Sequence, residues 1–171
     1  MKKIKLISYL VICCGLCSAQ PKNPLFHALV LAENGGHHIL FTKAFRPWLD
    51  QLAADSSFAI DYIENPKAID DVFLSRYQLF IQLDYPPYGW GEKAEAAFKK
   101  YIEEGKGGWI GFHHATLLGE FDGFPMWDWF SRFMGDIRYS NYIATFVSGK
   151  VNVEESKHPV MIHPHWQGPV H

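Results

Sequence analysis

The sequence predicts an α/β domain, an open parallel sheet with helices on both faces. Three observations lead there. Short apolar runs at residues 26–32, 58–63, 78–83 and 108–112 alternate with segments of helical period. That β-α-β order argues for parallel strands joined by right-handed crossovers. The first run is apolar almost throughout, which suits a strand buried on both faces. Histidines and carboxylates gather just after these runs, where open α/β sheets take their ligands.

Taken in order, Phe26 to Ala32 is the first strand, and His27 inside it reads as a core histidine with its hydrogen bonds met. Glu33-Asn34-Gly35-Gly36-His37-His38 follows as a βα turn in which glycine supplies positive φ. Phe41, Ala44, Phe45, Trp48, Leu49 and Leu52 recur at helical spacing and predict an amphipathic helix through about Ala53. Pro47 should kink that helix or mark its first turn. Phe58 to Ile63 alternates as a second strand until Asn65-Pro66 breaks it. Ala68 to Tyr77 reads as a short helix or turn with Val72 and Leu74 inward, and Gln78 to Leu83 as a third strand ending at Asp84.

Tyr85-Pro86-Pro87-Tyr88-Gly89-Trp90 is either a rigid surface turn or a stacking wall for a sugar ring. Its place at a strand's carboxyl end favours the wall. Glu92 to Glu104 is a helix with Ala94, Phe98, Tyr101 and Ile102 on one face and Gly105 placed to end it. Gly108 to Phe112 is a short buried fourth strand running into His113-His114. Leu117 to Pro125 is a Gly-rich loop with Glu120 and Asp122, Met126 to Met134 is helical, and Ala144 to Val153 reads as a strand. The tail from Ile162 to His171 has neither period.

Composition narrows the function. With 48% hydrophobic and 20% charged residues the chain is of globular type, and a net charge of -2 offers no basic footprint for nucleic acid. Residues 1–19 read as a signal peptide: Lys2, Lys3 and Lys5 precede an apolar stretch, Leu6 to Leu16, too short to span a bilayer, and Cys17-Ser18-Ala19 forms a small-residue cleavage site. The expectation is an exported protein, periplasmic or extracellular, starting at Gln20, with a net charge of about -5 once those lysines are removed. The residues before Cys13 and Cys17 lack the small neighbour that lipidation uses, which argues against a lipoprotein. All three cysteines lie in the leader, so the mature chain has neither a disulfide nor a cysteine nucleophile. Gly35-Gly36 is too short for a phosphate loop, and no serine elbow follows the fourth strand.

The candidate groups are Glu33, His37, His38, Asp84, His113, His114, Glu120, Asp122 and His158. A histidine oriented by a carboxylate can move protons, two or three histidines with a carboxylate can hold Zn²⁺, and a carboxylate pair can serve glycoside chemistry. The expected catalytic set is His113, His114, His38, Asp84 and Glu33, and the candidate metal ligands are His38, His113 and His114. Tyr85, Tyr88, Trp90, Trp127 and His158 are the expected substrate contacts. Against this stands the alternation of a strand, which turns only one of His113 and His114 toward the site unless the turn re-aims them. Histidines in such places also serve as hydrogen-bonded structure.

Residues 26–38, the Gln82 to Tyr88 strand end, Gly107 to Thr116, Glu120 to Trp129 and His158-Pro159-Val160-Met161 together resemble the ThuA-like (trehalose utilisation) family. The resemblance spans about residues 26–161 and implies a flavodoxin-like α/β domain, similar to class I glutamine amidotransferases. Where those enzymes carry a catalytic cysteine this chain has His113 and His114, so glutamine hydrolysis is not implied. The resemblance implies a role in catabolism of a small-molecule carbohydrate, a disaccharide or keto-sugar. The chemistry would be that of a hydrolase, lyase or isomerase with a His-based acid/base site or a divalent metal such as Zn. A non-catalytic carbohydrate- or partner-binding domain is the alternative, and a non-functional fragment of a longer ThuA-like protein is another. Family members continue past the His-Pro motif, so the domain, residues 20–161, is expected to be C-terminally truncated and residues 162–171 to be an atypical tail.

Overall fold

A computed structural model describes residues 23–119, 123–140, 148–150 and 157–159. Four strands, β1 (His27–Leu31), β2 (Ala59–Ile63), β3 (Leu79–Gln82) and β4 (Gly108–Gly111), form one sheet in the order β2-β1-β3-β4. Every pairing is parallel, with Val30 level with Tyr62 on one side and Ile81 on the other, and Ile81 level with Ile110. Helices α1 (Ile39–Ser56), α2 (Asp71–Leu74), α3 (Glu92–Glu103) and α4 (Asp128–Phe133) connect and cover it. The flavodoxin-like α/β architecture expected from the sequence is the one observed.

The core explains why the first strand is apolar. Ala28, Leu29, Val30 and Leu31 are all fully buried, and they divide between two faces. Ala28 and Val30 pack with Ile60, Ile81 and the α1 residues Phe45, Leu49 and Ala53. Leu29 and Leu31 pack with Phe80, the α3 residues Ala94, Ala97, Phe98 and Tyr101, and Phe130 of α4. A strand with a helix layer on each side has no solvent face to make polar.

The α3 exit follows a backbone rule. Gly105 takes φ +64°, and Gly105 and Lys106 donate to the carbonyls of Ile102 and Tyr101, both at 3.0 Å, in a Schellman ending.

Several expectations are corrected. The inward stripe of α1 is Thr42, Phe45, Leu49 and Ala53, while Trp48 is 55% exposed and Phe41, Ala44 and Leu52 also lie outward. The inward ridge is the one whose Phe45, Leu49 and Ala53 pack with Val30, Ile60 and Ile81, and its Thr42 hydroxyl reaches buried Asp84. Pro47 sits mid-helix on the exposed side, where its ring meets no packed neighbour layer, and α1 continues through it. In α2 the Asp70 side chain caps Phe73 N–H at 2.7 Å, which turns Leu74 inward but leaves Val72 77% exposed. His27 is exposed at the start of β1, not in the core. Strand β4 is the edge of the described sheet, so Ile110 is 45% exposed where a buried strand was expected. The expected strand from Ala144 to Val153 falls almost wholly outside the described residues, as do residues 1–22 and 160–171. Residues 141–171 form a separate unit.

Candidate functional site

The strand order places a switch point between β1 and β3. From β1 the chain leaves toward α1 on one face, and from β3 toward α3 on the other. The carboxyl ends of the two strands therefore lie where no crossover among the described residues passes, the place at which such sheets bind ligands. Two carboxylates stand there, Glu33 and Asp84, each two residues past the end of its strand.

Asp84 is fully buried and uses both oxygens as acceptors. Asn34 N–H donates to Oδ2 at 3.0 Å and the Thr42 hydroxyl to Oδ1 at 2.8 Å. Asn34 presents its N–H by adopting φ +56°, a left-handed conformation that Asn tolerates better than most residues, and its own amide donates to Ala32 O at 3.1 Å. Asp84 thus ties the loop after β1, and helix α1, to the end of β3.

Glu33 is held differently. The Tyr85 N–H faces its carboxylate and favours the charged form. Its Oε2 is buried and has no hydrogen-bond partner among the described residues. Burial, then the charge of Asp84, push its pKa up from 4.5 to about 7, against the smaller downward pull of the Tyr85 N–H. Near neutral pH both forms of this carboxyl are populated, the condition a proton-transfer group needs.

The histidines converge from two loops. His38 ends the 3-10 turn Gly36–His38 and is buried. His114 lies in the 3-10 turn His113–Thr116, beyond the end of β4, so strand alternation does not govern it. His114 Nδ1 and His38 Nε2 are 2.9 Å apart, with the rings edge-on at 4.5 Å. One of these nitrogens donates and the other accepts, so the two facing atoms share one proton. Tyr85 stands edge-on to His38 at 4.7 Å. A Cβ on Gly35 would lie 2.3 Å from the Tyr85 ring, so the glycine is there for close approach, since its φ of -96° is open to any residue.

Of the expected site residues, the structure brings together Glu33, His38, Asp84, Tyr85 and His114. The side chains of His37 and His113 lie outside the described set, as do Glu120 and Asp122. His158 belongs to the separate unit. The expected aromatic wall is divided. Tyr88 stacks on Phe124 at 4.6 Å and donates to Leu117 O at 2.8 Å, joining two site loops. Trp90 is buried in the core against Phe80 and Phe98, while half-buried Trp127 stacks on Phe130 at the margin of that core. Among the described residues no three His, Cys, Asp or Glu side chains form a group able to hold a metal ion. Sequence reasoning passed over Asn34, Thr42 and Gln82. For Thr42 and Gln82 the available signal was a polar residue at a buried position of an apolar element.

The fold defines a flavodoxin-like α/β protein, with carboxylates and a histidine pair as candidate groups at its strand ends. The family model for ThuA, trehalose utilisation, matches residues 27–168, and the chain belongs to that family. A ThuA-like protein from Bacteroides uniformis is similar in structure, with a TM-score of 0.69, 26% identity and coverage of 86% of this chain. This chain spans 58% of that protein's length. A ThuA-like protein from Parabacteroides merdae gives a TM-score of 0.42 at 22% identity, over 55% of this chain and 34% of that one. No curated protein matches.

Proposed function

We propose that the switch-point cluster binds an uncharged sugar, a disaccharide or keto-sugar, and performs acid–base chemistry on it. Glu33 is the proton donor and acceptor, the His38–His114 pair is a second proton-carrying station, and Tyr85 offers a ring face and hydroxyl to the sugar. Asp84 keeps the loop after β1 in place. The observation that carries this reading is the buried Oε2 of Glu33 at the switch point, which has no hydrogen-bond partner among the described residues. A polar atom left without a partner costs free energy unless a ligand satisfies it.

The charge of the site loops supports an uncharged substrate. Residues 32–38, 83–91 and 112–127 contain Glu33, Asp84, Glu120 and Asp122 and no lysine or arginine. A sugar phosphate or uronate would bring its negative charge to these loops without a cation to meet it. The family's link to trehalose utilisation supports a sugar over other neutral ligands. The leader-like residues 1–19 support an exported protein, which cell fractionation tests directly.

The decisive assay incubates the purified protein, with and without added divalent metal, with a panel of disaccharides, keto-sugars and their phosphorylated forms. Turnover confined to neutral sugars, and lost in Glu33→Gln and His114→Ala, supports the proposal. Binding without turnover, unaffected by either substitution, contradicts the catalytic roles and leaves a carbohydrate-binding domain.

A further inference from the structure

We infer that Gln82 is a positioning residue for Glu33, acting through Tyr85 and held in place by Trp109. The inference rests on the acid–base reading of Glu33 given above.

Gln82 ends β3 and is fully buried on the face packed by α3 and α4. A side-chain amide there, in a strand otherwise reading Leu79-Phe80-Ile81, needs partners for both its ends. It has them. The Trp109 indole Nε1–H donates to Gln82 Oε1 at 3.2 Å, and Gln82 Nε2 donates to the Tyr85 carbonyl at 2.5 Å. The Tyr85 backbone is thereby gripped from below. The ring of that same residue abuts His38 at 4.7 Å, and its N–H faces the Glu33 carboxylate, whose charged form it favours. One buried amide therefore fixes the residue that touches both proton-carrying groups of the site.

The far end of this chain of contacts is built into β4. Gly111 lies level with Gln82 across the β3–β4 pairing. A Cβ on Gly111 would sit 2.1 Å from the Trp109 ring, so the indole lies across the space where a side chain at 111 would stand. That placement is what lets an indole rooted at 109 reach a side chain level with 111. Phe130 and Phe133 of α4 hold the ring edge-to-face at 5.8 and 5.5 Å. Gly111, Trp109 and Gln82 thus have a joint function at the site, though none of them lies on a site loop.

The test uses two variants of the full chain: Gln82→Met, which keeps volume but removes both hydrogen bonds, and Trp109→Phe, which keeps an aromatic ring at 109 but removes the indole donor. NMR follows the Tyr85 amide resonance and the titration of the Glu33 carboxyl. Loosening Tyr85 draws its N–H away from the Glu33 carboxylate, whose charged form that N–H favours. The Glu33 midpoint is therefore expected to rise by about half a unit or more in both variants, with a shift of the Tyr85 amide. A folded variant of either kind with an unchanged Glu33 midpoint and an unchanged Tyr85 amide, even if less heat-stable, overturns the inference. If Gln82→Met does not fold, Trp109→Phe decides alone. Because the readout needs no substrate, failure of this inference is separable from failure of the proposed sugar chemistry.

Discussion

Glu33 and Asp84 are carboxylates at matching places, each two residues beyond a central strand of the same sheet. Their surroundings set them apart. Asp84 has a donor on each oxygen and no exposed surface. Glu33 faces a backbone N–H and a neighbouring negative charge, and one of its oxygens has no hydrogen-bond partner among the described residues. A fully satisfied buried carboxylate is a structural pin. A half-satisfied one beside another acid is held near its titration point and is open to a ligand. The loops around them, not the residue type, assign the two roles.

Removing the pin should have the largest effect on stability. Asp84→Ala strands the Asn34 N–H and the Thr42 hydroxyl in the interior and is expected to cost about 3–4 kcal/mol, read by urea denaturation. Gly35→Ala comes next, at about 2–3 kcal/mol, because its new Cβ meets the Tyr85 ring. A double-mutant cycle with Tyr85→Ala should recover most of that loss. Recovery of nothing would place the strain elsewhere.

Changing the ligand-facing carboxylate should act in a pH-dependent way. The folded pKa of Glu33, about 7, lies above the ordinary value of 4.5, so the folded state binds the proton more tightly. That contribution is fully present below about pH 4.5 and is lost as pH rises through 7. Glu33→Gln should therefore flatten the fall in stability between pH 5 and pH 8, a difference of up to about 2 kcal/mol with solvent screening included. A variant whose stability falls as steeply as the wild type's would show that another group titrates. Thr42→Val is the smallest change, about 1 kcal/mol, since Asp84 keeps its bond from Asn34. A cost near that of Asp84→Ala would mean that Thr42 alone carries the pin.

The sheet and most of the cluster were legible because they depend on local pattern. The unbroken Ala28-Leu29-Val30-Leu31 run demands two covered faces, and Glu33, His38, Asp84 and His114 follow strand ends where such folds bind ligands. The pairing of Glu33 with Asp84 needed the order β2-β1-β3-β4, which joins residues 51 positions apart and leaves no local mark. The inward face of α1 differs from the expected one because Trp48 and Leu52 have the period of a core stripe, while Thr42 is buried against a partner in the loop after β3. The burial of Ile110 depends on what flanks β4, and that of Trp90 on Phe80 and Phe98, neither of which periodicity encodes. His27 is exposed because it opens its strand, one residue before burial begins.

The contrast between the two carboxylates comes down to the ionisation of Glu33. Carbon-detected NMR of the Glu33 carboxyl across pH 3 to 9, with Glu33→Gln to assign the signal, measures it in the free protein. A midpoint about 7 is the expected result. A midpoint near 4.5 would make Glu33 an ordinary solvated carboxylate and remove the basis for its role in proton transfer.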